Sequence, residues 1–265
     1  MATNDHVAAP ARFGRPTPAR FLAYLLAVLF FVISVDGAGL SPADFVEGLP
    51  HMARLTGEMF PPDLDRLDAV AIALLETFQM ALVGTVLGVL VSLPLAVAAT
   101  RTHAPHALIY HAARTLIAFF RTVPDLVWAL FFVASAGLGP FAGTLAIMVD
   151  TIGFCGRFFA EAMEEVEPGP SEALTAIGAR RLDVVGCAVL PAAMPSFINT
   201  SMFSLEKATR SSVVLGLVGA GGIGIELKVA MDMFQYAEAA TIILTIFLLV
   251  LGVERAGAAV RQRII

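Results

Sequence analysis

Three charged side chains lie inside a segment that is otherwise apolar enough to cross a membrane. Glu206, Lys207 and Arg210 fall within residues 195–218, near the middle of that segment at about 1.5 Å of rise per residue. An unpaired charge at such depth is costly, so these groups need partners or water. Glu206 and Arg210 are spaced i and i+4, which predicts an ion pair within one helix. Two functions remain open for them: stabilising helix packing, or lining a water-filled path along which Arg210 attracts an anion.

Two further polar pairs occur in apolar segments. Asp150 and Arg157 are two helical turns apart, and Glu76 lies close to Gln79. Both spacings place the two side chains on one face of a helix. We treat these pairs as weaker candidates for the same two functions.

A glycine-rich run follows the charged segment. Gly219, Gly221 and Gly224 match the GxGxxG spacing with which a dinucleotide-binding fold holds a pyrophosphate. That function requires strands alternating with helices, whereas here a charged helical segment precedes the glycines and an apolar span follows them. The run therefore predicts a break at the outer end of a membrane helix, where irregular backbone must be covered by protein or water.

The histidines and cysteines do not form a metal or redox site. His103, His106 and His111 cluster, but no cysteine or carboxylate stands at a spacing that would complete a ligand set. Cys155 and Cys187 are far apart and lack the CxxC spacing. We expect no metal, no disulfide and no cofactor bound by this chain.

Hydrolytic chemistry is equally unsupported. The two lysines, Lys207 and Lys228, both lie outside any GxxxxGK[ST] sequence, so ATP cannot be hydrolysed here by a P-loop. An intramembrane protease would need HExxH, a Ser/His pair or two facing aspartates, and only Asp125 and Asp150 could form the last. We expect no catalytic residue and no enzyme activity.

Composition places the chain in a membrane. Of its residues 58% are hydrophobic and 15% are charged, and its mean hydropathy is +0.81. A soluble core of 265 residues cannot bury that much apolar surface. The net charge of −5 gives no indication of a nucleic-acid partner. The lipid bilayer is the expected surrounding.

The apolar segments predict an all-α, polytopic protein with about six transmembrane helices. They are residues 21–35, 69–99, 116–137, 141–163, 195–218 and 236–253. We expect a tail, a first membrane helix and an acidic periplasmic segment in residues 1–68. Residues 69–265 are expected to form a five-helix core that includes a loop at 168–191.

Charge sets the expected orientation. Residues 36–68 contain seven acids and two arginines, which suits the outer side of a membrane, whereas arginines cluster in residues 12–20, 101–114 and 255–263. Six spans then place both termini and the loop at 168–191 in the cytoplasm. We expect a multi-pass protein of a bacterial inner membrane.

The loop at 168–191 has the pattern of a docking segment. Ser171 is expected to cap a helix in which Glu172 lies near the N-terminus. Ala173, Ala176 and Ala179 recur every three residues and predict one face with little side-chain bulk, which a groove of another protein can enclose. The alternative is an ordinary amphipathic helix between two spans.

The same loop resembles the EAA coupling loop of ATP-binding-cassette importer permeases. The resemblance rests on Glu172-Ala173, on Gly178 and on Leu190-Pro191; Leu174 stands where the family usually has a second alanine, and Ala188 where it has a β-branched residue. The sequences EKATRSSVVLGLVGAGGIG, RTVPDLVWALFF and GLGPFAGTLAIMVDTIGF resemble the phosphonate-type branch of that family. The resemblance as a whole covers about residues 70–258.

The resemblance implies the type I importer permease fold with cytoplasmic coupling helices. It also implies two permease subunits, two cytoplasmic ATPases that bind ATP and magnesium, and a periplasmic binding protein. Without an internal repeat, one chain supplies half a pathway, and we expect a homodimer, with a related second subunit as the alternative. The implied function is import of phosphonate, phosphite or hypophosphite by alternating access. An ATPase-independent channel or secondary transporter for a small anion is the alternative.

Two sets of residues follow from the pattern and the resemblance together. ATPase coupling is expected at Glu172, Ala173, Ala176, Gly178, Ala179, Arg180, Leu190 and Pro191. The translocation pathway is expected at Glu206, Lys207, Arg210, Ser211, Gly219, Gly221 and Gly222.

Overall fold

The computed structural model describes residues 17–264, and every regular element in that range is a helix. The helices are α1 (Pro18–Gly37), α2 (Pro42–Glu58), α3 (Leu67–Ala99), α4 (Ala107–Thr122), α5 (Asp125–Ala136), α6 (Pro140–Glu164), α7 (Pro168–Ala176), α8 (Arg181–Val184), a π-helical turn (Val185–Val189), α9 (Leu190–Gly216), α10 (Ile223–Asp232) and α11 (Tyr236–Ile264). The prediction of an all-α protein is confirmed. Most of the predicted cytoplasmic tail, residues 1–20, lies outside the described residues.

The predicted membrane helices correspond to long apolar helices and one bent pair. Within the described residues, α1, α3, α6, the continuous α8–α9 rod and α11 are long and apolar enough to cross a membrane. The α4–α5 pair makes a sixth span only if its two helices, which meet at 89°, are counted together.

The third predicted span is therefore wrong as a single helix over residues 116–137. The chain is extended at Val123, with φ −80° and ψ 121°, and α5 begins after Pro124. Proline lacks an N–H and disfavours a helical conformation in the residue before it, so the helix ends there. Arg121 and Asp125 consequently flank a sharp bend.

The chain divides into two compact units between Gly57 and Glu58. The first unit contains α1 and almost all of α2. Residues 36–68 were predicted only as an acidic segment, so α2 is an addition to the predicted elements. Its apolar positions Phe45, Val46 and Leu49 are exposed.

The second unit is built around α3 and α6. Gly84 and Gly88 of α3 let the two helices approach closely, since a Cβ at Gly84 would lie 2.7 Å from Ile147 Cγ2 and one at Gly88 would lie 2.5 Å from Thr151 Cβ. Small residues at the contact are a common way for membrane helices to pack. Helix α9 joins them, with the rings of Phe159 and Phe197 4.5 Å apart.

The glycine-rich run forms a turn between α9 and α10. Gly219, Gly221 and Gly222 have φ values of 89°, 91° and 73°, a region that residues with a Cβ rarely adopt. The segment before the glycines is helical, so the dinucleotide-binding context is absent from the described chain. The predicted break is present, and the short helix α10 that follows it was not predicted.

Candidate functional site

The predicted docking segment is a short helix that leaves the bundle three residues after α6 ends. Helix α7 begins at Pro168, with Glu167 at the N-cap. Pro168 and Pro170 fit the first turn, where a missing N–H breaks no helical hydrogen bond. The expectation that Ser171 caps this helix is wrong, and Glu172 lies in its middle rather than at its start.

A glycine turn ends α7. Gly178 has φ +86°, and its N–H donates to the Thr175 carbonyl while the Ala179 N–H donates to the Leu174 carbonyl, each at 3.0 Å. This pair of bonds is the Schellman arrangement, which a glycine with positive φ permits. Ala179 therefore lies beyond the helix, and the prediction that it shares a helical face with Ala173 and Ala176 is wrong.

The segment around this turn exposes apolar side chains. Ile177 and Leu182, on either side of Gly178, are 80% and 78% exposed, and α7 buries none of its residues. Isolated exposed apolar residues are common, but two large ones at the tip of a projecting turn form a surface suited to a protein partner. Sequence analysis named neither residue, although both interrupt a small and polar stretch.

The part of the docking segment after Gly178 makes a hydrogen bond within the segment and another to the bundle. The Arg180 N–H donates to Asp183 Oδ2 at 3.2 Å, and Arg181 Nη1 donates to the Ala104 carbonyl at 3.2 Å. Leu190 and Pro191 form the first turn of α9, directly after the π-helical turn. The α7–α8 turn is thus joined to α9 by a short connection in which Val185, Ala188 and Val189 are buried.

A cavity of about 790 Å³ lies between α7 and the bundle. Its lining includes His103, Glu164, Glu172 and Arg181. Burial, and then the positive charge of Arg181, lower the pKa of His103 below the ordinary histidine value. His103 is therefore a neutral group near neutral pH.

Two charged residues of α9, Glu206 and Lys207, pair with neighbouring helices rather than with another residue of α9. Glu206 accepts a hydrogen bond from Arg261 Nη1 of α11 at 2.8 Å, and Lys207 Nζ lies 2.8 Å from both carboxylate oxygens of Asp150 in α6. The predicted Glu206–Arg210 ion pair is wrong. Adjacent helical residues point about 100° apart, so Glu206 and Lys207 meet different neighbours.

The predicted weaker pairs also have other partners. Arg157 Nε donates to Glu161 Oε1 at 2.7 Å, one turn further along α6, which leaves Asp150 to Lys207. Glu76 Oε1 accepts the Gly222 N–H at 2.8 Å, and the side chain of Gln79 is exposed.

Arg210 is exposed, and among the side chains described, residues 17–263, it has no ion pair or hydrogen bond. It follows Lys207 by three positions, so the two cations share a face of α9. Ser211 is half-buried beside them. The residues predicted for the pathway are thus divided: Glu206 faces α11, while Lys207 and Arg210 remain candidates for contact with an anion.

The glycines of the turn serve packing in this structure. A Cβ at Gly221 would lie 2.7 Å from Pro140 Cα, and the Gly139 N–H donates to the Gly219 carbonyl at 3.0 Å. Thr77 Oγ1 accepts the Ile223 N–H at 2.7 Å and so satisfies the N-terminus of α10 together with Glu76. A role of the glycines in the pathway stays a prediction.

Three further long-range ion pairs were missed by sequence reasoning. Arg66 Nη1 lies 2.7 Å from Glu238 Oε1, and its Nη2 lies 3.4 Å from Glu226 Oε2 at the end of the bundle opposite α7. Arg114 Nη2 lies 2.9 Å from Glu164 Oε1 at the end that carries α7. The partners are separated by 50 to 172 positions, so no local spacing signals them.

Comparison with known proteins identifies the family. Residues 84–265 match the family described as binding-protein-dependent transport system inner membrane component. The chain is 39% identical over 223 residues to the phosphite transport system permease protein PtxC of Stutzerimonas stutzeri, covering 84% of this chain and 81% of the relative. It is 36% identical over 230 residues to the putative phosphite transport system permease protein HtxC of the same organism, covering 87% and 80%.

The fold agrees with a solved transporter. A chain of the inward-facing MetNI methionine ABC transporter superposes with a TM-score of 0.66 at 23% identity, covering 77% of this chain and 99% of that chain. The resemblance found in residues 172–191 and 206–224 is confirmed by these matches. The chain belongs to the family of binding-protein-dependent transport system inner membrane components.

Proposed function

We propose that this chain is the membrane-spanning subunit of an ATP-driven importer for a small phosphorus oxyanion. Two relatives that are 39% and 36% identical carry the name of phosphite transport permeases, which supports phosphite, phosphonate or hypophosphite as the cargo. Membership of the family supports an inner-membrane protein that works with a binding protein. The cargo moves from the periplasm to the cytoplasm by alternating access.

The observation that carries the coupling to ATP is the exposed turn at Gly178. Ile177 and Leu182 offer apolar contact area that no other part of the described second unit covers. This turn enters a cleft of a separate ATPase subunit. The contact residues proposed for it are Glu172, Ala173, Ala176, Gly178, Ala179 and Arg180, with Leu190 and Pro191 transmitting the motion to α9.

The chemistry of ATP belongs to the partner. ATP and magnesium bind the ATPase subunit, and this chain contributes neither a catalytic residue nor a cofactor site. Closure of two ATPases brings two docking turns together and shifts a two-state bundle toward its outward-open form. Hydrolysis lets the turns separate, and the path opens inward.

The assembly contains a second copy of this chain, two ATPases and a periplasmic binding protein. One chain has a single docking turn and so requires a second permease subunit; a homodimer is the proposed form, with a related second subunit as the alternative. Both termini and α7 lie on the cytoplasmic side. In this arrangement Lys207, Arg210 and Ser211 border the path, Glu206 holds α9 in place, and Gly219, Gly221 and Gly222 shape its outer end.

The test is uptake by the reconstituted transporter. The chain is expressed with its ATPase and binding protein, placed in liposomes, and supplied with radiolabelled phosphite. We expect uptake only when ATP is present on the side of the membrane that carries the ATPase and the binding protein is present on the opposite side. Liposomes without the ATPase subunit are the control. Equal uptake with and without ATPase would contradict the proposal and favour a channel or secondary transporter.

A further inference from the structure

An arginine-lined cavity lies at the end of the bundle that carries α7, separate from the cavity beneath α7. It has a volume of about 490 Å³ and opens between the last residue of α3, helix α4 and the last turns of α6. Its charged lining consists of Arg114, Arg121, Arg157 and Glu161. Such a concentration of guanidinium groups in one concave site is unexplained by the docking turn or by the charges of α9.

Two glycines of α6 create this cavity by letting α4 approach. A Cβ at Gly153 would lie 2.8 Å from the backbone nitrogen of Arg121, and one at Gly156 would lie 3.2 Å from Ile117 Cγ1. The last turn of α4 therefore lies directly against α6. This contact brings Arg121, at the end of α4, and Arg157, one turn beyond Gly153, to the same cavity.

The three guanidinium groups are occupied to different degrees. Arg114 is fixed, because its Nε donates to the Ala99 carbonyl at 3.0 Å and its Nη2 donates to both oxygens of Glu164 at 2.9 Å. Arg157 uses its Nε for Glu161 at 2.7 Å. Its terminal nitrogens have no protein acceptor within residues 17–263.

Arg121 gives the cavity an excess of positive charge. Its side chain has no ion pair or hydrogen bond to any side chain or backbone group that the structure describes. Three guanidinium groups, those of Arg114, Arg121 and Arg157, thus face two carboxylates, those of Glu161 and Glu164. One positive charge remains unbalanced, and the donors around it are the planar groups that bind tetrahedral oxyanions in two-point contacts.

We infer that this cavity binds a tetrahedral phosphorus oxyanion, with Arg121 and Arg157 as its direct contacts and Arg114 as a fixed third charge. The inference rests on the proposed function, because the cargo of the proposed transporter is the anion that occupies this cavity, at the α7 end of the path. The phosphate of an anionic lipid headgroup has the same chemistry and could fill the same site. The experiment therefore separates the two sources.

The first arm measures binding of free phosphite. The transporter with its ATPase is purified in nanodiscs of phosphatidylcholine, and radiolabelled phosphite is titrated without nucleotide at fixed ionic strength. Arg121→Gln and Arg157→Gln are each expected to weaken binding about 10-fold or more, the usual effect of losing a charge-assisted contact. Arg255→Gln, at an exposed arginine of α11 outside the cavity, is the charge-matched control and should bind as the wild type does.

The second arm measures retained lipid. The same proteins are purified from nanodiscs containing phosphatidylglycerol, and bound anionic lipids are counted by native mass spectrometry. Loss of one lipid in Arg121→Gln, with no lipid lost in Arg255→Gln, would support the site and identify a headgroup as its ligand.

Unchanged phosphite affinity and unchanged lipid retention in both cavity variants would overturn the inference. Arg121→Lys keeps the charge but loses the two-point contact, so it should bind phosphite more tightly than Arg121→Gln and less tightly than the wild type; the elution volume of each purified variant checks that it is folded. Failure of this inference and failure of the proposed function give different results. Absent uptake together with Arg121-dependent binding would refute the transport proposal alone, whereas normal uptake with binding unaffected by Arg121→Gln would refute the cavity alone.

Discussion

Glu206 shows how the protein keeps a charge inside the bundle. Its residue surface is 7% exposed, and Arg261 reaches it from α11, where Gly257 leaves room for the carboxylate. Removing one partner of a buried ion pair leaves the other charge uncompensated. We expect Arg261→Gln to destabilise the protein by about 3 kcal/mol, measured as the free energy of unfolding in SDS–detergent micelles.

The double variant distinguishes pairing from packing. Glu206→Gln combined with Arg261→Gln removes both charges, so it should recover a large part of the loss. Additive losses in the two single variants would show that the pair contributes no coupling energy.

Arg210 is the exposed cation of α9. If it attracts the cargo, Arg210→Ala should lower uptake of phosphite by about 10-fold or more while leaving assembly intact. The readouts are the initial rate of uptake and the elution volume of the purified complex. Lys228→Ala, at an exposed cation of α10, is the matched control. Normal uptake by the Arg210 variant would leave this residue with a packing role.

His103 gives the docking end a dependence on pH. The unfolded chain binds a proton on this side chain near pH 6.5, but burial and Arg181 lower the pKa of the folded one. Below about pH 6.5 the unfolded state binds more protons at His103 than the folded state does. The contribution of neutral, folded His103 to the free energy of unfolding is therefore lost on acidification. Wild type should therefore lose more thermal stability than His103→Gln between about pH 7.5 and 5.5. Parallel changes in the two melting midpoints would contradict this.

The residues that need a partner at membrane depth were easier to predict than the partners themselves. The sequence indicated that Glu206, Lys207 and Asp150 had to be compensated at membrane depth, because the cost of burial follows from residue type. It could not indicate that Asp150 would meet Lys207, 57 positions away, since that depends on how α6 and α9 pack.

At the scale of elements, α7 and its glycine turn are the proposed contact with the ATPase. Ala173 is exposed on α7, and a tryptophan there would fill the space that a partner's cleft must enclose. We expect Ala173→Trp to reduce uptake by about 10-fold while the ATPase still hydrolyses ATP, because the contact is separated from the nucleotide site. The measurement is the ratio of phosphite transported to ATP hydrolysed.

A control and a second variant of the docking turn accompany Ala173→Trp. Ala259→Trp adds the same bulk at an exposed position of α11 and should leave the ratio unchanged. Gly178→Ala forces a residue with a Cβ to adopt φ +86°, at a cost of about 1 kcal/mol, and should also reduce the ratio. Coupled transport that is unchanged in Ala173→Trp would count against the docking role.

Long helices were predictable from hydropathy and short ones were not. The predicted spans 69–99 and 141–163 correspond closely to α3 and α6, whose length and apolar character leave no alternative in a membrane. Helix α2 was missed because its 17 residues mix charged and apolar side chains and lack a long apolar run, and α10 was missed because it has only 10 residues. Pro124 itself indicated a bend, but the apolar runs on both sides of it led to the prediction of one continuous span.

For the molecule as a whole, the orientation in the membrane is the decisive test. The proposed topology places Arg180 in the cytoplasm and Lys228 near the outer surface. In a background with Cys155 and Cys187 replaced by serine, Arg180→Cys should resist a membrane-impermeant maleimide added to intact spheroplasts. Lys228→Cys, the control, should react.

Permeabilised cells complete the measurement. There Arg180→Cys should become reactive, which shows that the thiol is accessible from the inner side. Labelling of Arg180→Cys in intact cells would invert the orientation and remove the docking role of α7.

The π-helical turn at Val185–Val189 fixes the angular phase between the docking turn and α9. A π-turn accommodates one residue more than an α-helical turn, and one residue corresponds to about 100° of rotation. If that extra residue were absent and α9 kept its position through the partners of Glu206 and Lys207, α8 and the Gly178 turn would be rotated by about 100° from their present direction. Shortening this turn by one residue would therefore turn the docking surface in another direction even where α9 kept the contacts of Glu206 and Lys207.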